Sequence, residues 1–182
     1  MRLTVDGKSS MRTLRLRMDP RITTPETDLR KQFELAGRIT AAMDRDFEAL
    51  QQVRALRGVL KDRRASTRDR GLSERLAALD TRAASLESGP EDAGFARWSG
   101  RLATLLNVVT SADAPPTAQA IAAFDETEKL LSGGLASWEQ LVRQDVPALN
   151  EALRGAGLSE LPDLKAAGAA LPPPGAAPDN EE

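Results

Sequence analysis

Two groups of carboxylates are spaced closely enough to suggest shared acid–base work: Asp125, Glu126 and Glu128, and Asp44, Asp46 and Glu48. A pair of carboxylates can cleave a glycoside, one as acid and the other as base or nucleophile. Residues two apart on a helix do not face each other, and no apolar cleft converges on either group, so both read as solvated helix faces. The same residues lack the loop and alternating ligands of a calcium site. Ser9, Ser10 and the run Ser132-Gly133-Gly134 offer hydroxyls, but none stands in the G-x-S-x-G turn that exposes a nucleophile. Lys61, Arg63, Arg64, Arg68 and Arg70 form a basic cluster that could meet phosphate. Asp62 and Asp69 interrupt it, no aromatic interleaves, and cations at the end of a helix already have a role against its dipole. Trp98 and Trp138 could line a groove, yet both fall on apolar stripes and read as core.

Composition narrows the field further. The 182 residues contain no Cys, no His and no Tyr. Thiolate metal sites, disulfides, cysteine nucleophiles and Ser–His pairs are excluded. The expectation is a chain with no catalytic residue, no metal site and no cofactor. Residues 1–70 carry 17 basic and 10 acidic side chains, and residues 71–182 carry 8 and 17. The first part is thus positive by seven and the rest negative by nine, which favours attraction between them. No stretch approaches the roughly 18 apolar residues of a membrane helix. The first residues lack the apolar core of a signal peptide, so the chain as written is expected to stay in the cytoplasm.

The elements follow from periodicity. Residues 1–18 read as a hairpin: Leu3 and Val5 alternate with polar neighbours, Asp6-Gly7 marks the turn, and Leu14, Leu16 and Met18 alternate with Arg15 and Arg17. Asp19-Pro20 ends the strand. A first helix is predicted from Pro25 to Arg64, with Thr24 as its N-cap. Its stripe is Leu29, Phe33, Ala36, Ile39, Met43, Phe47, Leu50, Val53, Leu56 and Leu60. Some 40 residues make a rod of roughly 60 Å. After a loop at 65–71, a second helix (72–87) carries the seam Leu72, Leu76, Leu79, Ala83 and Leu86. A third (94–110) carries Phe95, Trp98, Leu102, Leu105 and Val109, and a fourth (117–154) carries Ile121, Phe124, Leu131, Leu135, Trp138, Leu141, Leu149 and Leu153. Gly133-Gly134 should weaken the fourth helix, and Pro147 should kink it. Leu158, Leu161 and Leu164 are candidates to cap the bundle end. Residues 165–182, rich in Pro, Gly and Ala and acidic at the end, are expected to be disordered.

The fold class predicted is mainly α. Two long and two short helices over residues 20–164 form an elongated antiparallel bundle, preceded by a β-hairpin (1–19) and followed by the tail (165–182). Whether the short helices run collinear or fold back as a hairpin is left open by periodicity. A lone hairpin is marginal in water. It therefore reads as the last piece of an immunoglobulin-like sandwich, the alternative being a hairpin laid on the helices.

The runs Leu3-Thr4-Val5-Asp6-Gly7-Lys8, Leu14-Arg15-Leu16-Arg17-Met18-Asp19-Pro20-Arg21, Thr24-Pro25 and Asp28-Leu29 resemble one known junction. It lies near the C-terminus of bacterial sortilin-like proteins, which are exported β-propellers with sialidase-type Asp-box repeats, often labelled glycosyl hydrolases. Leu102-Ala103-Thr104-Leu105, Ser111 through Gln119, Asp145-Val146-Pro147-Ala148-Leu149-Asn150 and Gly157-Leu158 are similar to the end of the same family. The resemblance covers about residues 2–164. It implies a non-catalytic terminal module without the propeller, whose role is docking or spacing against a propeller or sandwich domain. No catalytic residue carries over. The rival expectations are an independent helical protein that self-associates through its long seams, and an enzyme bearing the family's hydrolase label. A protein partner is expected, with no nucleic acid and no membrane span.

Overall fold

A computed structural model describes residues 2–13, 15, 17–90 and 93–164. The expectations placed on Leu14, Leu16 and the 165–182 tail lie outside these residues. The chain is mainly helical, with one small antiparallel sheet. The elements are β1 (Arg2–Val5), β2 (Lys8–Met11), α1 (Glu26–Ser66), α2 (Arg70–Glu87), α3 (Phe95–Thr110), α4 (Ala118–Gln140) and α5 (Val146–Gly155), with a π-helical turn at Leu141–Asp145 joining α4 to α5.

Asp6 and Gly7, at φ 47° and 75°, form the two-residue turn that the Asp-Gly pair signals. That turn sets the register Val5↔Lys8 through Arg2↔Met11. The second strand is therefore Lys8–Met11 and not the later run containing Arg15, Arg17 and Met18. A tight turn after residue 5 pairs β1 only with the four residues that follow. Both strands are exposed along their whole length, so the hairpin is not laid on the helices.

The interior of the bundle is a set of heptad seams. On α1 the residues facing inward are Leu35, Ile39, Ala42, Asp46, Ala49, Val53, Leu56 and Leu60, stepping four and three throughout. The predicted stripe is correct at Ile39, Val53, Leu56 and Leu60, Leu50 is buried beside the seam position Ala49, and the stripe lies one residue off elsewhere. Phe33 is 78% exposed, and Leu29, Ala36, Met43 and Phe47 are only half-buried. The slip has a cause: the seam positions 32 and 46 are Gln and Asp, so neighbouring apolar residues mimic a stripe. On α4 the seam is Ala120, Phe124, Thr127, Leu131, Gly134, Trp138 and Leu141. Here too Ile121 and Leu135 sit beside the seam, not on it, because Ala120 and Gly134 hold the inward positions.

Ion pairs and hydrogen bonds order the helices. Arg54 reaches Glu87 and Arg57 reaches Asp80, so α2 runs antiparallel to the second half of α1. Gln32 Nε2 donates to the Val109 and Ala112 carbonyls, each at 2.6 Å, so the end of α3 meets the start of α1. The two short helices thus follow one another along α1, and the folded-back alternative is excluded. Arg38 pairs with Asp125, Arg45 with Glu128, and Gln52 bonds Trp138, so α4 ascends with α1. The positive first part of the chain is matched to the negative remainder through these pairs.

The helix ends differ in detail from expectation. Pro25, not Thr24, is the residue before α1, and no side chain caps it. The Thr24 hydroxyl is spent elsewhere, donating to the Asp113 carbonyl of the α3–α4 loop. Asp69 caps α2 by accepting from Leu72 N, and Thr117 caps α4 by accepting from Ala120 N. Pro147 lies in the first turn of α5, just after the π turn. Leu141 and Val146 are both buried although five residues apart, because the π turn adds one residue to the seam. The chain then closes with Gly157 at φ 71°. Its N–H donates to the Arg154 carbonyl and Leu158 N to the Leu153 carbonyl, the pattern of a Schellman motif. Leu161 and Leu164 are buried against the end of the bundle, as expected.

Candidate functional site

The predicted acidic groups do not converge. Asp125 and Glu128 are engaged singly, with Arg38 at 3.0 Å and Arg45 at 2.8 Å, on the outside of the α1–α4 pair. Glu126 lines a shallow groove of about 640 Å³ between α3 and α4, together with Arg97, Gly100, Arg101, Thr104 and Thr127. Asp44 is exposed, and Glu48 accepts a bond from Gln52. Among the described residues no cluster of three metal-ligating side chains occurs. Of the basic cluster, Arg70 pairs with Glu74 one helical turn on, Lys61, Arg64 and Arg68 project outward, and Arg63 is half-buried with its Nε unpaired. Ser9 bonds Arg2 and Thr4 across the hairpin. Ser132 and Ser10 are exposed.

Asp46 departs from its predicted place on a solvated face. It is fully buried, at a seam position of α1 with Ala42 and Ala49 one turn away on either side. Neither carboxylate oxygen has a hydrogen-bond partner. Burial pushes its pKa up to about 6, while the Ser99 hydroxyl of α3 pulls the other way. Three other inward polar side chains are satisfied. Gln32 takes two carbonyls at the end of α3. Gln52 Oε1 accepts the Trp138 indole N–H at 3.0 Å. Thr127 donates back to the Ala123 carbonyl at 2.8 Å.

Next to Ser99 stands Trp98, core as predicted, whose buried Nε1 also has no partner. Its ring meets Phe95 edge-on, with centroids 5.4 Å apart, and fits against Gly134. A Cβ at position 134 would lie 2.4 Å from the Trp98 ring. The glycine pair does not break α4, which is continuous to Gln140. Gly134 is the slot that admits the indole, and only a residue without a side chain fills it. Apolar spacing alone did not mark Asp46 or Gly134. The available signal was the unbroken heptad count through both positions.

The hairpin offers the other candidate surface. Leu3 and Val5, each 57% exposed, share one face with Ser10 and Lys8. The opposite face carries the Arg2–Ser9–Thr4 hydrogen bonds and Met11. Further exposed apolar side chains, Phe33, Val108 and Ile121, belong to the start of α1, the end of α3 and the start of α4. No helix among the described residues is long and apolar enough to cross a membrane. No protein-family model matches the chain, and neither a curated protein nor a solved structure does.

Proposed function

We propose that the chain is a non-catalytic accessory module whose helical bundle presents the β1–β2 hairpin to a protein partner. The observation that carries this reading is the hairpin itself. It has an apolar strip at Leu3 and Val5, and both of its faces are exposed. A two-stranded sheet is marginally stable alone, and its open edges are templates for another strand. The chemistry of such a partner is a β-sheet with a free edge and an apolar face. In the sortilin-like reading that partner is the sandwich or propeller domain of the exported family, the hairpin is a remnant of an immunoglobulin-like sandwich, and the elongated bundle is a spacer. Binding of the purified chain to the propeller–sandwich portion of a sortilin-like protein tests it. Saturable binding that disappears when residues 1–19 are removed, with helical circular dichroism retained, supports the reading. Absence of binding, or binding that survives the truncation, removes it.

A second reading, self-association, is favoured by Phe33, Val108 and Ile121, which gather at the end of the bundle where Gln32 meets the end of α3. Sedimentation equilibrium at tens of micromolar discriminates, since a strict monomer eliminates it. A hydrolase reading rests on the family label alone. A panel of glycosides should show no turnover.

A further inference from the structure

We propose that Asp46 makes the packing of α3 against the first half of α1 proton-linked: the neutral acid closes this half of the bundle and the carboxylate loosens it. The inference is independent of the docking reading, since it concerns the interior of the bundle and not the hairpin.

The geometry carries it. Asp46 occupies a position that every heptad count assigns to the core, and it is completely removed from solvent. An ionised carboxylate there must be paired or hydrogen-bonded to be tolerated. No cation is provided from any side among the described residues, and the facing Ser99 hydroxyl is not in hydrogen-bond geometry with either oxygen. On α1 itself, Arg45 donates to the Ala41 carbonyl and to Glu128, Glu48 is bound by Gln52, and Asp44 is exposed. From α3, the facing polar group is the Ser99 hydroxyl, while Arg97 and Arg101 line the outer groove with Glu126 of α4. From α4, Asp125 and Glu128 are held by Arg38 and Arg45. From α2, Glu87 is held by Arg54 and Arg57. None of these gives Asp46 a hydrogen bond. Beside Ser99, the buried Trp98 N–H is a second unmade bond in the same helix turn of α3.

Two unsatisfied polar groups on facing helices define where the bundle gives way. Protonation removes the charge from α1 and leaves a neutral acid that fits an apolar seam. Ionisation demands water, which enters only if α3 moves away from α1. The folded carboxyl titrates near pH 6 against an ordinary value of 3.8. The closed form therefore holds a proton that the open form releases. Protection is greatest below about pH 4 and is lost as pH rises through about 6.

Amide hydrogen exchange of the full chain between pH 5 and 7.5, normalised for intrinsic chemistry, tests this. Amides of α3 and of residues 35–49 should lose protection with rising pH by about tenfold across this window: the closed and open forms titrate about two pH units apart, worth about a hundredfold in all, and about half of that logarithmic change falls below pH 5. Protection of α2 should stay level. Asp46→Asn should hold α3 at its low-pH protection throughout, and Ser99→Ala should move the midpoint upward. A flat α3 profile in the unaltered chain, or the same pH dependence in Asp46→Asn, overturns the proposal. Carbon-13 titration of the Asp46 carboxyl in the unaltered protein keeps the test decisive should the variants fail to fold. A midpoint near 6 supports the proposal, and one below 4.5 overturns it.

Discussion

The two halves of α1 solve the same packing problem in opposite ways. The half against α2 buries Val53, Leu56 and Leu60 and sets most of its charges at the rim, with Arg63 Nε near its end as the one buried polar atom left unpaired there among the described residues. There Arg57 bridges Asp80 at 2.9 Å and Glu87 at 2.5 Å, and Arg54 takes the other Glu87 oxygen. The half against α3 buries a carboxylate between two alanines and leaves an indole N–H unpaired beside it. One half is mainly apolar inside and paired outside; the other carries a carboxylate and an indole N–H inward at its centre. Buried groups without partners cost far more than rim pairs contribute, so the α3 half should be the less stable unit although both follow the same heptad.

The sharpest way to break that comparison is to empty the better half. Leu56 is fully buried, and Leu56→Ala should cost about 2–5 kcal/mol in a chemical denaturation series. A cost below about 1 kcal/mol would show that the α2 half is as loosely packed as its counterpart. The converse change acts on Asp46. Asp46→Asn should stabilise the protein by up to about 3 kcal/mol at pH 7.5 and by little at pH 4. Glu87 supplies an opposing dependence. Burial pushes its pKa up, but Arg54 and Arg57 outweigh that and hold it below the usual carboxylate range. Its contribution is present above the ordinary 4.5 and lost as pH falls further. Thermal unfolding should therefore be most resistant near pH 4. In Asp46→Asn the decline on the alkaline side should vanish while the acid-side loss remains.

A smaller and more discriminating pair lies on α4. Gly133 has open space where a Cβ would go, so Gly133→Ala should gain about 0.5–1 kcal/mol from helix propensity. Gly134→Ala places a methyl 2.4 Å from the Trp98 ring and should lose about 1–3 kcal/mol by overpacking. Equal effects at the two positions in thermal melts would mean that Trp98 is not seated in the slot.

Much of this organisation was legible in the sequence, and the failures share one physical origin. Helix existence, the α2 seam at Leu72, Leu76, Leu79 and Ala83, and the core placement of both tryptophans follow from apolar spacing alone. The reading slipped chiefly around seam positions that are not large apolar residues: Gln32, Asp46, Ala120, Thr127 and Gly134. At each of these the choice of residue answers a tertiary demand, such as the carbonyls at the end of α3 or the Trp98 ring, that local periodicity does not express. The step of five from Leu141 to Val146 was a readable sign of the π turn. Pro147 explains why the turn sits there, since it cannot donate to the carbonyl four residues back and clashes with it. The succession of α2 and α3 along α1 was not legible, because helices of these lengths fit either arrangement.

The last prediction is the smallest in stability and asks whether the looseness of the α3 half is intrinsic. The hairpin precedes the same end of the bundle, where Thr24 fastens the α3–α4 loop through the Asp113 carbonyl. If the hairpin shielded that end, its removal would lower the stability of α3 in particular. Both strands are exposed along their whole length, and Leu3, Val5 and Met11 bury little. Deleting residues 1–19 keeps Thr24 and every seam residue, so helical ellipticity should hold and stability to denaturant should change by less than about 0.5 kcal/mol. Solubility should rise as the apolar strip is lost. A selective fall in α3 protection on truncation would transfer the weakness from the Asp46 layer to the missing hairpin. An unchanged exchange profile leaves the buried carboxylate as the cause of the difference between the two halves.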